Sequence, residues 1–186
     1  MTPVARQFTG RDAGFSLIEL LVVIIIIGVA ASMVRLVVSQ PDPLEELERS
    51  AQQLAYRFGQ VQDTVLLSGD DQGLLLLADG VQFLTWRPGN PRDGEPEIVW
   101  EPNDAAPNWQ APDDTEITLY LEGQWVEIPR DPPEDARDWV PMILMFPSED
   151  YQPSFELYLK PPGIGNDAVR VKGDGFRRLE VSRVSL

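Results

Sequence analysis

Hydrophobic and polar positions divide the chain into three textures. After a polar start, the run from Phe15 to Val38 is almost continuously apolar, and Leu20-Leu21-Val22-Val23-Ile24-Ile25-Ile26-Ile27 contains no polar residue. Its length predicts a helix able to span a bilayer. Two charges interrupt it: Glu19 near one end, and Arg35 near the other, where a long side chain can snorkel. Gln40-Pro41-Asp42-Pro43 breaks this helix. Asp42 can then cap a second helix, with Pro43 in its first position and Glu45 in its third. The apolar residues that follow, Leu44, Leu47, Ala51, Leu54, Phe58, Val61 and Val65, recur in steps of three and four and make one stripe. Ser68-Gly69 is the expected stop. The stripe suits packing on a sheet, with a coiled-coil seam as the alternative.

After Gly69 the period shortens. Brief apolar or β-branched runs alternate with clusters of Pro, Gly, Asn and Asp. They predict strands near residues 74–78, 82–86, 97–100, 117–121, 125–128, 142–146, 155–159, 168–172 and 178–184. Glu122-Gly123 and Gly173-Asp174-Gly175 are the expected hairpin turns. Residues 87–96 and 101–116 are expected to be proline-rich, acidic loops. The fold class this predicts is α+β: a long N-terminal transmembrane helix, an amphipathic helix, then an antiparallel β-sheet or β-sandwich. The expected division is a leader over 1–14, the apolar helix over 15–39, the amphipathic helix over 42–68 and a β-rich domain over 70–186.

Composition removes several kinds of chemistry. The sequence has neither cysteine nor histidine, so disulfides, thiolate metal sites and the commonest general base are excluded. The net charge is −15. Beyond residue 14 the chain carries 13 basic and 29 acidic residues, a surface that repels phosphate backbones. Nucleic acid is therefore not an expected partner. Upstream of the apolar run, Arg6 and Arg11 are the only basic residues, which keeps the N-terminus cytoplasmic and sends the bulk of the chain across the membrane.

An ordinary signal peptide does not account for Glu19. A carboxylate inside an apolar run costs roughly 2–3 kcal/mol or more on insertion, so its default reading is a functional group with a partner. Gly14-Phe15-Ser16-Leu17-Ile18-Glu19, preceded by a short basic leader and followed by apolar residues, resembles the class III leader of type IV pilins and pseudopilins. The resemblance implies cleavage between Gly14 and Phe15 by a prepilin peptidase and N-methylation of Phe15. It also implies pairing of Glu19 with the N-terminal amine of a neighbouring subunit. Many major subunits of that superfamily carry a proline late in the helix; Met33 to Val38 has none, which points to a minor subunit.

Further along, Gln53-Leu54-Ala55-Tyr56-Arg57-Phe58, Val81-Gln82-Phe83-Leu84-Thr85-Trp86, and Leu144 to Glu149 before Pro153-Ser154-Phe155-Glu156-Leu157 resemble the H-type minor pseudopilins of type II secretion. That resemblance implies a structural subunit, not an enzyme, held in the inner membrane by a single pass with a periplasmic domain. Its implied place is between the tip of minor pseudopilins (I, J and K types) and a body of major pseudopilin, assembled on an inner-membrane platform. A minor pilin of a type IV pilus or DNA-uptake machine is the alternative. A membrane-anchored periplasmic enzyme or binding protein is the reading from another class.

No residues are expected to be catalytic, and neither cofactor nor metal is expected. Asp70-Asp71 and Asp113-Asp114 supply too few oxygens for a hard cation and read as solvated turn acids. Trp109 and Trp139 lie in polar, proline-rich stretches; packing is the expected role for both, with exposed contact points for another subunit as the alternative.

Overall fold

The structure is a computed structural model that describes residues 16–38, 42–148, 150–163 and 165–186, with the side chains of 31–38 and of 136 left aside. It divides into two compact units, residues 1–41 and 42–186. In the first, α1 spans Leu17–Val38.

The second unit begins with α2, Pro43–Ser68. Asp42 starts it: its side chain accepts the Leu44 N–H at 3.1 Å, and Pro43 sits where a missing N–H costs nothing. Gly69 ends it in the left-handed region at φ 77°, where a side chain would be strained, and returns its N–H to the Val65 carbonyl.

Among the described residues eleven strands follow: β1 Gln72–Leu77, β2 Gly80–Pro88, β3 Ile98–Pro102, β4 Trp109–Gln110, β5 Glu116–Leu121, β6 Gln124–Val126, β7 Ile143–Met145, β8 Tyr151–Gln152, β9 Phe155–Lys160, β10 Asp167–Gly173 and β11 Glu180–Ser185. They form two antiparallel sheets. One has the order β3-β2-β1-β7-β8, with β4 added to β2; the other is β11-β10-β9-β5-β6. The two-residue β4 reaches β2 because Gly80 lies opposite Gln110, and a Cβ at Gly80 would meet the Trp109 carbonyl at 2.2 Å.

The larger core cluster lies between α2 and the inner faces of both sheets. The α2 stripe supplies Leu47, Ala51, Leu54, Phe58, Val61 and Val65, all buried, so it packs on a sheet and is not a coiled-coil seam. Phe58 meets Tyr151 edge-to-face at 5.0 Å and Phe155 at 6.1 Å. Every residue of β1 is buried, because Leu74 and Leu76 face this core while Leu75 and Leu77 join a second cluster with Leu84, covered by Trp100, Trp139 and Met142.

Two sequence expectations need correction. The proline-rich loops carry a strand, β4, and a short 3-10 turn at Pro91–Asp93. Gly173 belongs to β10, so the β10–β11 connection is a longer loop over 174–179 rather than a tight turn at Gly173-Asp174-Gly175. The packing role expected of Trp109 holds: it is 2% exposed and its indole N–H donates to the Ser50 carbonyl at 2.9 Å. Trp139 packs, half-buried, against the second cluster.

Candidate functional site

The motif that singles out this chain lies at the start of α1. Gly14 and Phe15 lie outside the described residues, so the site is built here from Ser16 onward. Ser16 precedes the helix, and both its carbonyl (3.0 Å) and its hydroxyl (3.3 Å) accept the N–H of Glu19. Ser16-Leu17-Ile18-Glu19 is thus a capping-box sequence, with Ser at the cap and Glu three residues on. Glu19 sits in the first turn, where the helix dipole favours negative charge. The Ser-x-x-Glu spacing announces this local role in the sequence.

Around Glu19 the surface is apolar. Leu17, Ile18 and every large hydrophobic residue from Leu20 to Val29 are exposed, so the helix shows no buried face of its own. Among the described residues Glu19 makes no ion pair. The described side chains of α1 end at Ala30, and among the described residues no helix is long and apolar enough to cross a membrane.

In the second unit the polar side chains hold structure. Arg183 pairs with Glu48 at 2.7 Å and Arg178 pairs with Asp63, fastening β11 and the loop before it to α2. Arg178 also donates to the Gly59 carbonyl. Arg87 on β2 grips Glu95 with two parallel bonds of 2.8 and 2.9 Å and reaches Glu101 on β3 at 3.2 Å. The Arg87 guanidinium, helped by the Asn90 N–H, holds the Glu95 carboxyl down at a pKa of about 2. Asp135 is held down to about 2 by Arg137 in the same way. These pairs organise loops and offer no substrate-sized constellation of acid, base and nucleophile. Among the described residues, no cluster of three acidic side chains is placed to hold a metal ion. Asp70, Asp113 and Asp114 are exposed turn residues, and Asp71 is half-exposed.

Comparison with known proteins points the same way as the motif. Residues 10–34 match the family described as the prokaryotic N-terminal methylation motif. Two solved structures of the minor pseudopilin EpsH from the type II secretion system of Vibrio cholerae, one of them a crystal structure, share the fold. One has a TM-score of 0.55 at 21% identity, covering 77% of this chain and 99% of that one. The other has a TM-score of 0.54 at 20% identity, covering 75% and 96%. The type II secretion system protein H of Pseudomonas aeruginosa (strain PAO1) is 31% identical over 175 residues, 91% of this chain and 96% of that protein. The chain belongs to the family of type II secretion system protein H.

Proposed function

We propose that this chain is a minor pseudopilin, a structural subunit of the type II secretion pseudopilus that supports export of proteins across the outer membrane. The observation that carries this reading is Glu19, a carboxylate in the first turn of a helix whose described side chains are exposed and apolar. Such a surface needs lipid or other subunits around it, and such a charge needs a cationic partner.

The N-terminal chemistry supplies one. Cleavage after Gly14 frees the amine of Phe15, and N-methylation keeps it basic; a free α-amino group titrates near ~8. Glu19 of one subunit then neutralises the Phe15 amine of its neighbour, and two charges too costly alone in hydrocarbon become tolerable together. Docking is thereby tied to charge matching at the membrane.

The single pass is read from the sequence together with the length of α1. The α1 backbone has 22 residues, or about 33 Å at 1.5 Å per residue, against a hydrocarbon core of about 30 Å. Beyond Ala30 the sequence stays mostly apolar to Val38, apart from Arg35. Arg6 and Arg11 keep the leader cytoplasmic, where the prepilin peptidase of this reading acts, and the second unit is periplasmic. Its neighbours in the assembly are the I-, J- and K-type minor subunits and the major pseudopilin, with this chain joining tip to body.

The capping box makes the choice of variant decisive. Glu19→Ala removes both a charge and a capping residue; Glu19→Gln keeps an amide that can serve the cap and removes only the charge. In cells, Glu19→Gln is expected to be cleaved and inserted normally but to lose site-specific crosslinks to neighbouring pseudopilins. Wild-type crosslinking in Glu19→Gln would show that the residue acts through the helix cap and not through an intersubunit ion pair.

A further inference from the structure

A cleft of about 310 Å³ opens between α2, the paired strands β1 and β2, and the loop over 103–108. Its rim and walls include Arg57 and Thr64 from α2, Gln72 from β1, Thr85 from β2 and Asn103 from the loop, over a floor that contains Phe83. Gln72 is 7% exposed, which is unusual for a polar side chain in this domain. Its carboxamide oxygen accepts the Asn103 Nδ2–H at 2.8 Å. That bond fixes the amide, and the Nε2 arm makes no hydrogen bond among the described residues. An amide donor is therefore held in place and unused at the cleft surface.

Arg57 provides the charge. It donates to the Asn108 carbonyl and makes no carboxylate pair among the described residues. Arg49, Arg87, Arg137, Arg177, Arg178 and Arg183 each have an acidic partner, whereas Arg57 shares the unpaired state with Arg92, Arg130 and Arg170 among the described residues and differs from them in lining this cleft. No Asp or Glu lines the cleft, although Asp71 and Asp104 flank Gln72 and Asn103 in sequence. In a chain of net charge −15, a recess with a free guanidinium face, amide donors and no carboxylate is a local reversal of the surrounding field. Guanidinium and amide N–H donors match a carboxylate, and the apolar lining suits the short methylene stem that carries it.

We propose that this cleft receives the carboxylate of a glutamate-type side chain presented by a partner subunit. The choice of a protein partner rests on the assembly reading above, whereas the carboxylate specificity is testable apart from it. Arg57 and Gln72 bind the two oxygens, and the stem lies along Pro107, an exposed apolar residue of the lining.

The test is an NMR titration of the full chain in non-ionic detergent with N-acetylglutamate N-methylamide, using the glutamine analogue as control. The glutamate probe is expected to move the Gln72 side-chain amide and the Ala105 and Ala106 backbone amides saturably, and the glutamine probe to leave them in place. Arg57→Gln should raise the titration midpoint by about tenfold or more, the scale of one charge-assisted contact. Because Arg57 also tethers Asn108, Thr64→Glu serves as a second variant: it places a repelling carboxylate at the rim without touching that tether, and should abolish the shifts. Equal response to both probes, saturable shifts confined to other sites, or an unchanged midpoint in Thr64→Glu would overturn the proposal. Loss of crosslinking in Glu19→Gln bears only on assembly, so the two failures are distinguishable.

Discussion

In α1 the large side chains from Leu17 to Val29 are exposed on all sides, whereas α2 buries Leu47, Ala51, Leu54, Phe58, Val61 and Val65 and turns Glu45, Arg49 and Gln60 outward. Both helices begin with a capping side chain, Ser16 in one and Asp42 in the other. Their ends are thus set by the same local device, and their faces differ because their packing partners differ. The α2 stripe is satisfied within its own unit by both sheets. The exposed side chains of α1 are covered, in the reading proposed above, by lipid or neighbouring subunits. One helix is written for folding and the other for assembly, and variants can separate the two.

The largest effect is expected in α2. Phe58 is fully buried, and its ring sits against Tyr151 and Phe155. Phe58→Ala removes those contacts and leaves a cavity, at a cost of about 3–5 kcal/mol. Urea unfolding followed by near-UV circular dichroism measures it. A loss below about 1 kcal/mol would mean that the α2 stripe does not carry the core.

Trp109 comes next. Its indole N–H donates to the Ser50 carbonyl at 2.9 Å and to the Ser50 hydroxyl at 3.2 Å, tying β4 to α2. Trp109→Phe keeps an aromatic ring but drops that donor and some volume, for an expected loss of about 2 kcal/mol in the same unfolding assay. Stability equal to wild type would show that β4 is held by its pairing with β2 alone.

How far the sequence led depends on whether the signal was local. The Asp42 cap, the α2 stripe and the Gly69 stop were legible because each is written in consecutive turns of one helix. The nine longer strands were legible through short apolar runs between turn residues. Strands β4 and β8 were not, since two residues have no period; Trp109 and Tyr151 are placed by the core they enter. Packing was the expected role of Trp109, but its partner was not legible, because Pro107, Asn108, Gln110 and Pro112 around it are surface-type residues. Gly14, Phe15 and Glu19 were legible as a compact motif. The Arg57–Gln72–Asn103 cleft was not, because those residues are far apart in sequence and meet only through the fold.

Acid should act on a loop of the second unit before it reaches that core. The Glu95 carboxyl has a folded pKa of about 2 against an ordinary 4.5. A depressed carboxyl contributes stability that is present above the ordinary value and is lost as pH falls through the folded one. The Arg87–Glu95 grip should therefore loosen between pH 4.5 and about 2. Asp135 titrates in the same window, so a global melt does not separate them. The local readout is the Asn90 N–H, which donates to Glu95 at 2.8 Å: its exchange should accelerate through this window in wild type and be fast throughout in Glu95→Ala. An Asn90 amide indifferent to both would dismiss the grip.

The smallest effect is expected at the start of α1, and it bears most directly on the contrast between the helices. Ser16→Ala deletes the hydroxyl that accepts the Glu19 N–H at 3.3 Å, but the Ser16 carbonyl still accepts the same N–H at 3.0 Å. The cost is about 0.5 kcal/mol, the low end for a lost cap, and it is confined to the first turn. Amide exchange in detergent should quicken at Glu19 and Leu20 and stay unchanged from Val23 onward. If it quickened along the whole described helix, α1 would depend on its own cap for stability. Exchange confined to the first turn would leave its long apolar surface free to be stabilised by whatever surrounds it.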